Sequence, residues 1–198
     1  MNSPRRFDPD PLRQFERWYA DAVASGMKLP EAMALATATR KGEPSVRMVL
    51  YRGMSRGALA FFTNYRSRKA LEIAGNPRGA LVFHWPELER QVRIEGVIRK
   101  TPPRESDDYF RTRPRESRLS AWVSPQSSKI PGRAFLDSRF ESMRRRYAGK
   151  DIPRPAYWGG FRLVPSQIEF WQERPHRLHD RYCYVKKGKG WKMSVLAP

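Results

Sequence analysis

Hydrophobic and polar positions alternate with a period of two along much of the chain, as they do in half-buried β-strands. Strands of this kind are predicted at residues 32–39, 45–52, 58–63, 79–85, 90–100, 157–163, 167–172, 179–186 and 191–196. Turns such as Lys41-Gly42 separate several of them, so neighbouring strands are expected to pair antiparallel. The pattern predicts a mainly β protein with some α structure, a small β-barrel decorated by helices.

A helical period of 3.6 appears in the intervening segments. The first helix is predicted after Asp10-Pro11, which combine an N-cap residue with proline at the first helical position, and it ends at Gly26. Further helices are predicted at 67–74, 103–111, within 113–123 and around 136–147. Residues 1–9 are polar and contain proline, so they are expected to form a loose segment before a single domain of residues 10–198.

The formal net charge of +19 indicates acidic partners, either phosphate esters, nucleic acid or an anionic surface. The basic residues are spread from Arg5 to Lys192 and interleaved with aromatic residues, which is typical of a folded basic protein. Cys183 is the single cysteine, which excludes an intrachain disulfide, and its apolar neighbours predict that it is buried. No apolar run is long enough for a membrane span and no secretion signal is visible, so a cytoplasmic protein is expected.

The stretch QIEFWQERPHRLHDR combines a predicted strand with a row of donors. Arg177, His179 and Arg181 stand at every second position after Pro175, and in an extended chain they would project to one face. Like charges on one face repel each other unless an anion or a polar ring lies between them, so the row indicates a site. The alternative is a solvated face whose charges pair with Asp180 and Glu169.

Two other groupings are suited to phosphate. Thr63 leads into Ser67-Arg68-Lys69 at a predicted helix start, where a hydroxyl, two cations and free N–H groups converge. Tyr109, Arg113 and Ser117 recur at four-residue spacing. Two phosphate-type groupings in one domain predict a phosphorylated cofactor together with a phosphorylated substrate.

Several other classes of site lack their signatures. The sequence has no phosphate-binding Walker loop, no G-x-G-x-x-G and no G-x-S-x-G elbow. The three histidines lack the carboxylate or cysteine spacing of a zinc site, so no metal is expected. A basic nucleic-acid-binding module remains an alternative from the net charge, but the basic residues form no stripe and no nucleic-acid motif is present.

Seven segments together resemble the pyridoxamine/pyridoxine 5′-phosphate oxidase family. They are RMVLYR, FFTNYRSRKA, ERQVRIEG, YFRTRPRESRLSAWVSPQSS, YWGGFRL, IEFWQ…HRLHDR and the terminal Leu-Ala-Pro. They follow in order from Asp10 to Pro198, over nearly the whole chain.

The resemblance implies a split-barrel homodimer with FMN bound at the dimer interface. It also implies oxidation of the C4′ carbon of pyridoxamine or pyridoxine 5′-phosphate to the aldehyde, pyridoxal 5′-phosphate, with O₂ as electron acceptor and H₂O₂ as product. An FMN-dependent oxidase of the same fold that acts on another substrate, such as a phenazine precursor, is the alternative.

The resemblance also assigns site residues. FMN contacts are expected at Arg47, Met48, Val49, Leu50, Tyr51, Arg52, Phe62, Thr63, Arg68, Lys69, Gln91, Gln126, Ser127, Trp171 and Arg181. Of these, Arg47, Arg68 and Lys69 would clamp the FMN phosphate. Substrate contacts are expected at Arg52, Tyr109, Arg113, Ser117, Arg177, Leu178 and His179, with Arg177 and His179 as the catalytic pair.

Three departures from the family pattern bear on the substrate. Arg52 stands where the family usually has lysine, and Glu173-Arg174-Pro175 stand where it tends to have glycine. The family also has a segment before the first helix that helps to cover the substrate, and this lid is expected to be missing here. These departures are expected to affect substrate preference and turnover rather than FMN binding.

Overall fold

A computed structural model describes residues 7–198 of the chain, and within them it forms five α-helices and nine β-strands. The helices are α1 (Pro11–Ala24), α2 (Arg68–Gly75), α3 (Pro103–Thr112), α4 (Arg115–Val123) and α5 (Arg133–Arg146). The strands are β1 (Ala32–Ala38), β2 (Pro44–Leu50), β3 (Met54–Ser55), β4 (Ala58–Asn64), β5 (Arg78–Trp85), β6 (Arg90–Lys100), β7 (Trp158–Gln172), β8 (Asp180–Lys187) and β9 (Gly190–Val195).

Six of the strands curl into a barrel, which confirms the predicted fold class. They pair antiparallel in the order β2-β1-β5-β6-β7-β4. The ring closes where the chain after β2 meets β4, because Arg52 N–H donates to Ala60 O at 2.8 Å and Ala60 N–H donates to Gly53 O at 2.9 Å. The second half of β7 leaves the ring and pairs with β8, which pairs with β9.

The inward-facing residues of the strands fill the barrel. Leu35, Leu81, Ile94 and Ile168 are register partners on successive strands, and none of them is exposed to solvent. Because paired residues of antiparallel strands share a face, this row is the consequence of the period-two pattern. Trp18 of α1 packs edge-on against Phe170 with ring centroids 5.1 Å apart, so this helix packs against the same core.

Residues 7–9 are packed although the sequence predicts a loose segment there; residues 1–6 of that segment lie outside the described part. The ring of Phe7 stacks on Tyr182 at 3.9 Å. The Tyr184 hydroxyl donates to Asp8 O at 2.8 Å. An aromatic anchor and a buried backbone hydrogen bond therefore hold the chain to the barrel before α1 begins.

Strand β7 is a single strand of 15 residues where the sequence predicts two. Pro165 lies opposite Gly96, where the register of the β6–β7 ladder shifts. A Cβ atom on Gly96 would lie 2.1 Å from Val164 O, so only glycine allows this approach. The shift lets the strand continue past the proline.

Candidate functional site

Many of the expected site residues fall into three clusters, which lie near the two ends of β7 and include some residues that were not expected. The α2 cluster consists of Arg47, Thr63, Arg68, Lys69 and Gln126, together with Glu72. The aromatic cluster consists of Phe62, Tyr109, Arg113 and Trp158. The hairpin cluster consists of Gln91, Trp171, His179 and Arg181.

Lys69 is a buried cation in the first turn of α2. Its side chain is in contact with Thr63 Oγ1, to which Nζ donates at 3.3 Å, and Thr63 in turn donates to Gln126 Oε1 at 2.9 Å. Within residues 7–198, no carboxylate lies within ion-pair distance of this Nζ. Burial lowers the pKa of Lys69, and the nearby charge of Arg47 lowers this pKa further. A buried cation that has no ion-pair partner in the described residues and lies at a helix N-terminus is suited to bind an anion.

Arg47 and Arg68 lie beside Lys69, but a carboxylate already holds both of them. Arg47 Nη2 donates to Glu72 Oε2 at 3.3 Å, and Arg68 Nε donates to Oε1 at 2.8 Å. Burial alone would raise the pKa of Glu72, but hydrogen bonds from Ser45, Thr37 and Arg68 and the charge of Arg47 outweigh it and lower this pKa to about 2. The prediction from sequence missed Glu72, although its spacing of four residues from Arg68 is the spacing of a helical ion pair.

A cavity of about 690 Å³ opens beside α2. Arg68, Glu72 and Ser127 line it. Ser127 has a positive φ of 70° in the loop after α4, where Gln126 also lies. The loop expected to contact the cofactor therefore does lie next to the helix start expected to bind its phosphate.

The aromatic cluster surrounds a second cation, the half-buried Arg113. Phe62 stacks on Tyr109 with centroids 3.9 Å apart, and the guanidinium of Arg113 lies 4.4 Å from the centre of the Trp158 ring. Arg113 Nη1 is buried and has no hydrogen-bond partner in the described part of the chain. Burial lowers the pKa of Arg113. A cation–π contact does not satisfy an N–H donor, so Nη1 is a free donor for an anion.

Two glycines allow the aromatic cluster to form. A Cβ atom on Gly160 would lie 2.7 Å from the ring of Phe62, and one on Gly159 would lie 2.2 Å from the Tyr65 hydroxyl. Ser106 Oγ of α3 accepts from Gly160 N–H at 3.0 Å and shares a hydrogen bond of 2.9 Å with Thr101 Oγ1. The missing side chains let α3 and its Tyr109 approach β7 closely.

Arg52 and Ser117 were expected to share the substrate site with these residues. The charge of Arg52 contributes, after burial, to lowering the pKa of Arg113. Arg52 Nη1 donates to Glu31 Oε1 at 3.4 Å, a partner that the sequence did not predict. Ser117 is half-buried in the first turn of α4.

The hairpin cluster lies across three strands. Gln91 is the register partner of Trp171, and Trp171 is the register partner of Arg181. The rings of Trp171 and His179 are 4.6 Å apart. Arg181 donates to both oxygens of the buried Glu169, at 2.9 and 3.2 Å, and also to Ala197 O at 2.8 Å. The cross-strand register therefore brings four predicted site residues together.

The predicted extended row of Arg177, His179 and Arg181 is wrong. Residues Pro175–Arg177 form a 3₁₀ turn in which His176 and Arg177 have positive φ values of 61° and 62°. Proline fixes the start of this turn, so Arg177 does not share a strand face with Arg181. Arg177 and Leu178 are exposed.

His179 is oriented by the loop that departs from the family pattern. Its Nδ1 accepts from the backbone N–H of Arg174 at 3.2 Å. Arg174 Nε donates to Asp180 at 2.7 Å, so the partner of Asp180 lies outside the row of Arg177, His179 and Arg181, whereas Arg181 pairs with Glu169 as the alternative interpretation expected. Because Nδ1 accepts, the neutral imidazole carries its proton on Nε2.

The expected contacts on β2 divide between two faces of the barrel. Met48 and Leu50 point outward and are 63% and 37% exposed, as is Val46 at 69%. Val49 is half-buried, and Tyr51 is buried against Phe15. An exposed apolar row of this kind on a sheet face marks an interaction surface.

The aromatic and hairpin clusters lie near opposite ends of β7. Phe62 is paired with Gly160 near the start of β7, and Trp171 lies near its end. Trp171 follows Gly160 by eleven positions, which corresponds to roughly 35 Å measured along the strand at ~3.3 Å per residue.

Comparison with known proteins identifies the family. The sequence model of the family described as pyridoxamine 5′-phosphate oxidase matches residues 19–147. A second one, described as the pyridoxine 5′-phosphate oxidase C-terminal dimerisation region, matches residues 158–198. The chain belongs to the pyridoxamine 5′-phosphate oxidase family. Strand β7 of the second matched region pairs with β4 and β6 of the first.

Relatives within the family cover almost the whole chain. The chain is 52% identical to the pyridoxine/pyridoxamine 5′-phosphate oxidase of Cupriavidus taiwanensis over 96% of its own length and 90% of the relative's. It is 49% identical to the Coxiella burnetii protein of the same name, over 96% of each.

Solved structures confirm the split-barrel fold. PhzG from Burkholderia lata, solved in complex with tetrahydrophenazine-1-carboxylic acid, superposes with a TM-score of 0.93 at 28% identity, over 100% of this chain and 98% of that one. A pyridoxamine 5′-phosphate oxidase-related FMN-binding protein from Nostoc punctiforme superposes at 0.77 with 18% identity, over 98% of this chain and 100% of that one.

Two kinds of feature, a membrane-spanning helix and a metal-binding group of side chains, are absent from residues 7–198. No helix in this range is long and apolar enough to cross a membrane. No group of three histidine, cysteine, aspartate or glutamate side chains in the same range could hold a metal ion.

Proposed function

We propose that this protein is an FMN-dependent oxidase that converts pyridoxamine or pyridoxine 5′-phosphate to pyridoxal 5′-phosphate. The observation that carries the proposal is a pair of cations with no carboxylate ion-pair partner within residues 7–198, the buried Lys69 of the α2 cluster and the half-buried Arg113 of the aromatic cluster, whose Nη1 is buried. Two anion sites fit one phosphorylated cofactor and one phosphorylated substrate. Relatives that are about half identical and carry the name of this activity support the same assignment.

The residues of the α2 cluster fit the phosphate of FMN. Lys69 supplies a charge that burial has stripped of water, and Arg47 and Arg68 supply oriented N–H donors. Charge-assisted hydrogen bonds of this kind contribute about 1.5–3 kcal/mol each. Bound FMN would accept a hydride from the substrate and be reoxidised by O₂ with release of H₂O₂.

The residues of the aromatic cluster fit the substrate phosphate. Arg113 Nη1 is the free donor, and Tyr109 and Ser117 add hydroxyl groups beside it. Arg52 contributes a second guanidinium near the same place. The role of this cluster is to fix the substrate by its phosphate so that its C4′ carbon is held at one position over the cofactor ring.

The hairpin cluster would contact the flavin ring of FMN, and His179 and the neighbouring Arg177 would contact the pyridine ring of the substrate. Gln91, Trp171 and Arg181 would contact the flavin ring and its edges, while His179 and Arg177 would hold the pyridine. His179 presents its Nε2 proton, because Arg174 N–H occupies Nδ1. That proton is a donor for a substrate oxygen or ring atom.

Two copies of the chain are needed to complete such a site. The hairpin cluster lies roughly 35 Å along β7 from the aromatic cluster of the same chain, so a second copy would supply it. The exposed apolar row of Val46, Met48 and Leu50 is a surface that the two copies could bury against each other. The matched dimerisation region, residues 158–198, includes all of β7, β8 and β9. We therefore propose a homodimer with FMN at its interface.

An absorbance spectrum of the purified protein, recorded in air with and without pyridoxine 5′-phosphate, tests the proposal. A bound flavin spectrum with pyridoxal 5′-phosphate and peroxide appearing is the expected result. A flavin spectrum without conversion of pyridoxine 5′-phosphate would contradict the substrate assignment. The structural likeness to PhzG makes an oxidase of a phenazine precursor the second candidate, and tetrahydrophenazine-1-carboxylic acid is then the substrate to try.

A further inference from the structure

One buried carboxylate connects two arginines of the α2 cluster to the barrel. Glu72 Oε2 accepts from Thr37 Oγ1 at 2.5 Å, from Ser45 Oγ at 2.6 Å and from Arg47 Nη2 at 3.3 Å. Its other oxygen, Oε1, accepts from Arg68 Nε at 2.8 Å. The Glu72 side chain is only 5% exposed, so four donors from β1, β2 and α2 meet on one carboxylate that is shielded from water.

The two hydroxyls connect Arg47 to this carboxylate a second time. Arg47 Nη1 donates to Thr37 Oγ1 at 2.5 Å, and Nη2 donates to Ser45 Oγ. Each hydroxyl then donates its own proton to Glu72. Hydrogen bonds in such a chain polarise one another, so the orientation of Arg47 depends on Glu72 both directly and through two hydroxyls.

The charges of the α2 cluster also match a phosphate monoester. Arg47, Arg68 and Lys69 are three cations, and Glu72 with its pKa of about 2 is one anion at neutral pH. Two positive charges therefore remain, which fits the ~1.5 to 2 negative charges of a phosphate monoester at pH 7. Glu72 also raises the pKa of Lys69, against the effect of burial, and so helps to keep this lysine charged.

We propose that Glu72 is a positioning residue for the phosphate of FMN, one that orients Arg47 and Arg68 without touching the phosphate. This inference rests on the proposed function. It makes a prediction opposite to that of simple electrostatics, under which removal of a carboxylate from an anion site would tighten binding. A glutamine at this position cannot accept at both ends, because its NH₂ group would face either Arg68 or the three donors at Oε2.

The test compares FMN with riboflavin, which lacks the phosphate. Dissociation constants of both flavins for the apoprotein are measured by flavin fluorescence for wild type, Glu72→Gln and the control Glu43→Gln. Glu43 is an exposed carboxylate that lines the same cavity and bonds only to Thr39 in the described part of the chain. We expect Glu72→Gln to raise the FMN constant about tenfold or more and to leave the riboflavin constant unchanged. The control should change neither constant.

Three results would overturn the inference. Tighter or unchanged FMN binding in Glu72→Gln would show that the carboxylate does not position the arginines. An equal loss for FMN and riboflavin would show a purely structural role. Wild-type protein that binds neither flavin would overturn the proposed function itself, which separates that failure from the first two.

Ser45→Ala provides a second variant for the case in which Glu72→Gln does not fold. It removes one of the two hydroxyls that connect Arg47 to Glu72, at a half-buried position, and leaves the carboxylate in place. We expect a smaller loss, about threefold, for FMN alone. No change in the FMN constant, or an equal loss for riboflavin, would contradict the positioning role.

Discussion

The two ends of the proposed site differ in how far one chain completes them. In the α2 cluster, Lys69 is buried, Glu72 orients two arginines and a cavity opens beside them. At the other end, Arg177 and Leu178 are exposed on a turn with left-handed backbone, and only His179 is held, through Arg174. Under the proposed function, the phosphate end is organised within one chain, whereas the catalytic end depends on a second copy.

Electrostatics accounts for this difference. A cluster of cations is stable inside one chain only where a carboxylate and hydroxyls balance it, and Glu72 with Thr37 and Ser45 does so. The turn at 175–177 has no comparable partner in the described part of the chain and stays in water. Two non-glycine residues with positive φ cost free energy, so such a turn is expected to have a use in the complete site.

The largest expected effect comes from Arg177→Ala, which breaks the catalytic end alone. Turnover of pyridoxine 5′-phosphate should fall about 100-fold or more, because a donor to the reacting ring is lost, while the FMN dissociation constant stays the same. Steady-state rates in air and FMN titration measure the two quantities. Arg144→Ala, an exposed arginine on α5, is the control. Loss of FMN binding instead would assign Arg177 to the cofactor.

Lys69→Met should weaken FMN binding at the phosphate end. It should not destabilise the apoprotein. The FMN dissociation constant should rise by a factor of about 10 to 100, as one charge-assisted contact is lost. The apoprotein should unfold at the same temperature or a higher one, because a buried cation without an ion-pair partner is replaced by an apolar chain of similar length. Lys150→Met, at an exposed position, should change neither quantity. A destabilised apoprotein that binds FMN normally would contradict the account.

The smallest expected effect is that of Glu31→Gln, which tests whether Arg52 takes part in substrate binding. Glu31 competes for Arg52 in an ion pair whose members are 21% and 31% exposed, so its contribution is small. Without it, the KM for pyridoxine 5′-phosphate should fall about two- to fivefold with kcat unchanged. A higher KM would show that Glu31 orients Arg52 for the substrate and does not compete for it.

Local patterns were sufficient to predict most of the fold. Strand β6 begins and ends where its alternation predicts, and Asp10 caps α1 through Leu12 N–H at 3.0 Å. The unbroken course of β7 could not be predicted, because the glycine that accommodates Pro165 is Gly96 on another strand. Packing of Phe7 against Tyr182 was missed for the same reason, since its partner is distant in sequence.

The candidate site was predictable by residue type but not by partner. Lysine and arginine at a helix start indicate a phosphate site from sequence alone, as Arg68 and Lys69 did. The carboxylate Glu72 was missed because its contact to Arg47 joins residues far apart in the chain. Glu169 was named as a partner of the basic row and does pair with Arg181, but its second contact, to Arg93 on another strand, was not predicted. The turn at Arg177 was missed because only the backbone dihedrals show it.

The central claim is that each site combines the aromatic cluster of one copy with the turn at Arg177 of another. Trp158, beside Arg113, and Gln172 lie at opposite ends of β7, about 45 Å apart along the strand. Subunit complementation tests the claim directly. Arg113→Ala and Arg177→Ala are each expected to be inactive as homodimers.

When the two variants are unfolded together and refolded as a mixture, half of the dimers contain one copy of each. Such a dimer has one site with both substitutions and one site with neither, so the account predicts recovery of about one quarter of wild-type activity. If each chain built its own site, every site in the mixture would carry one substitution. Activity that stays at the level of the separate variants, in a mixture shown to contain mixed dimers, would contradict the account.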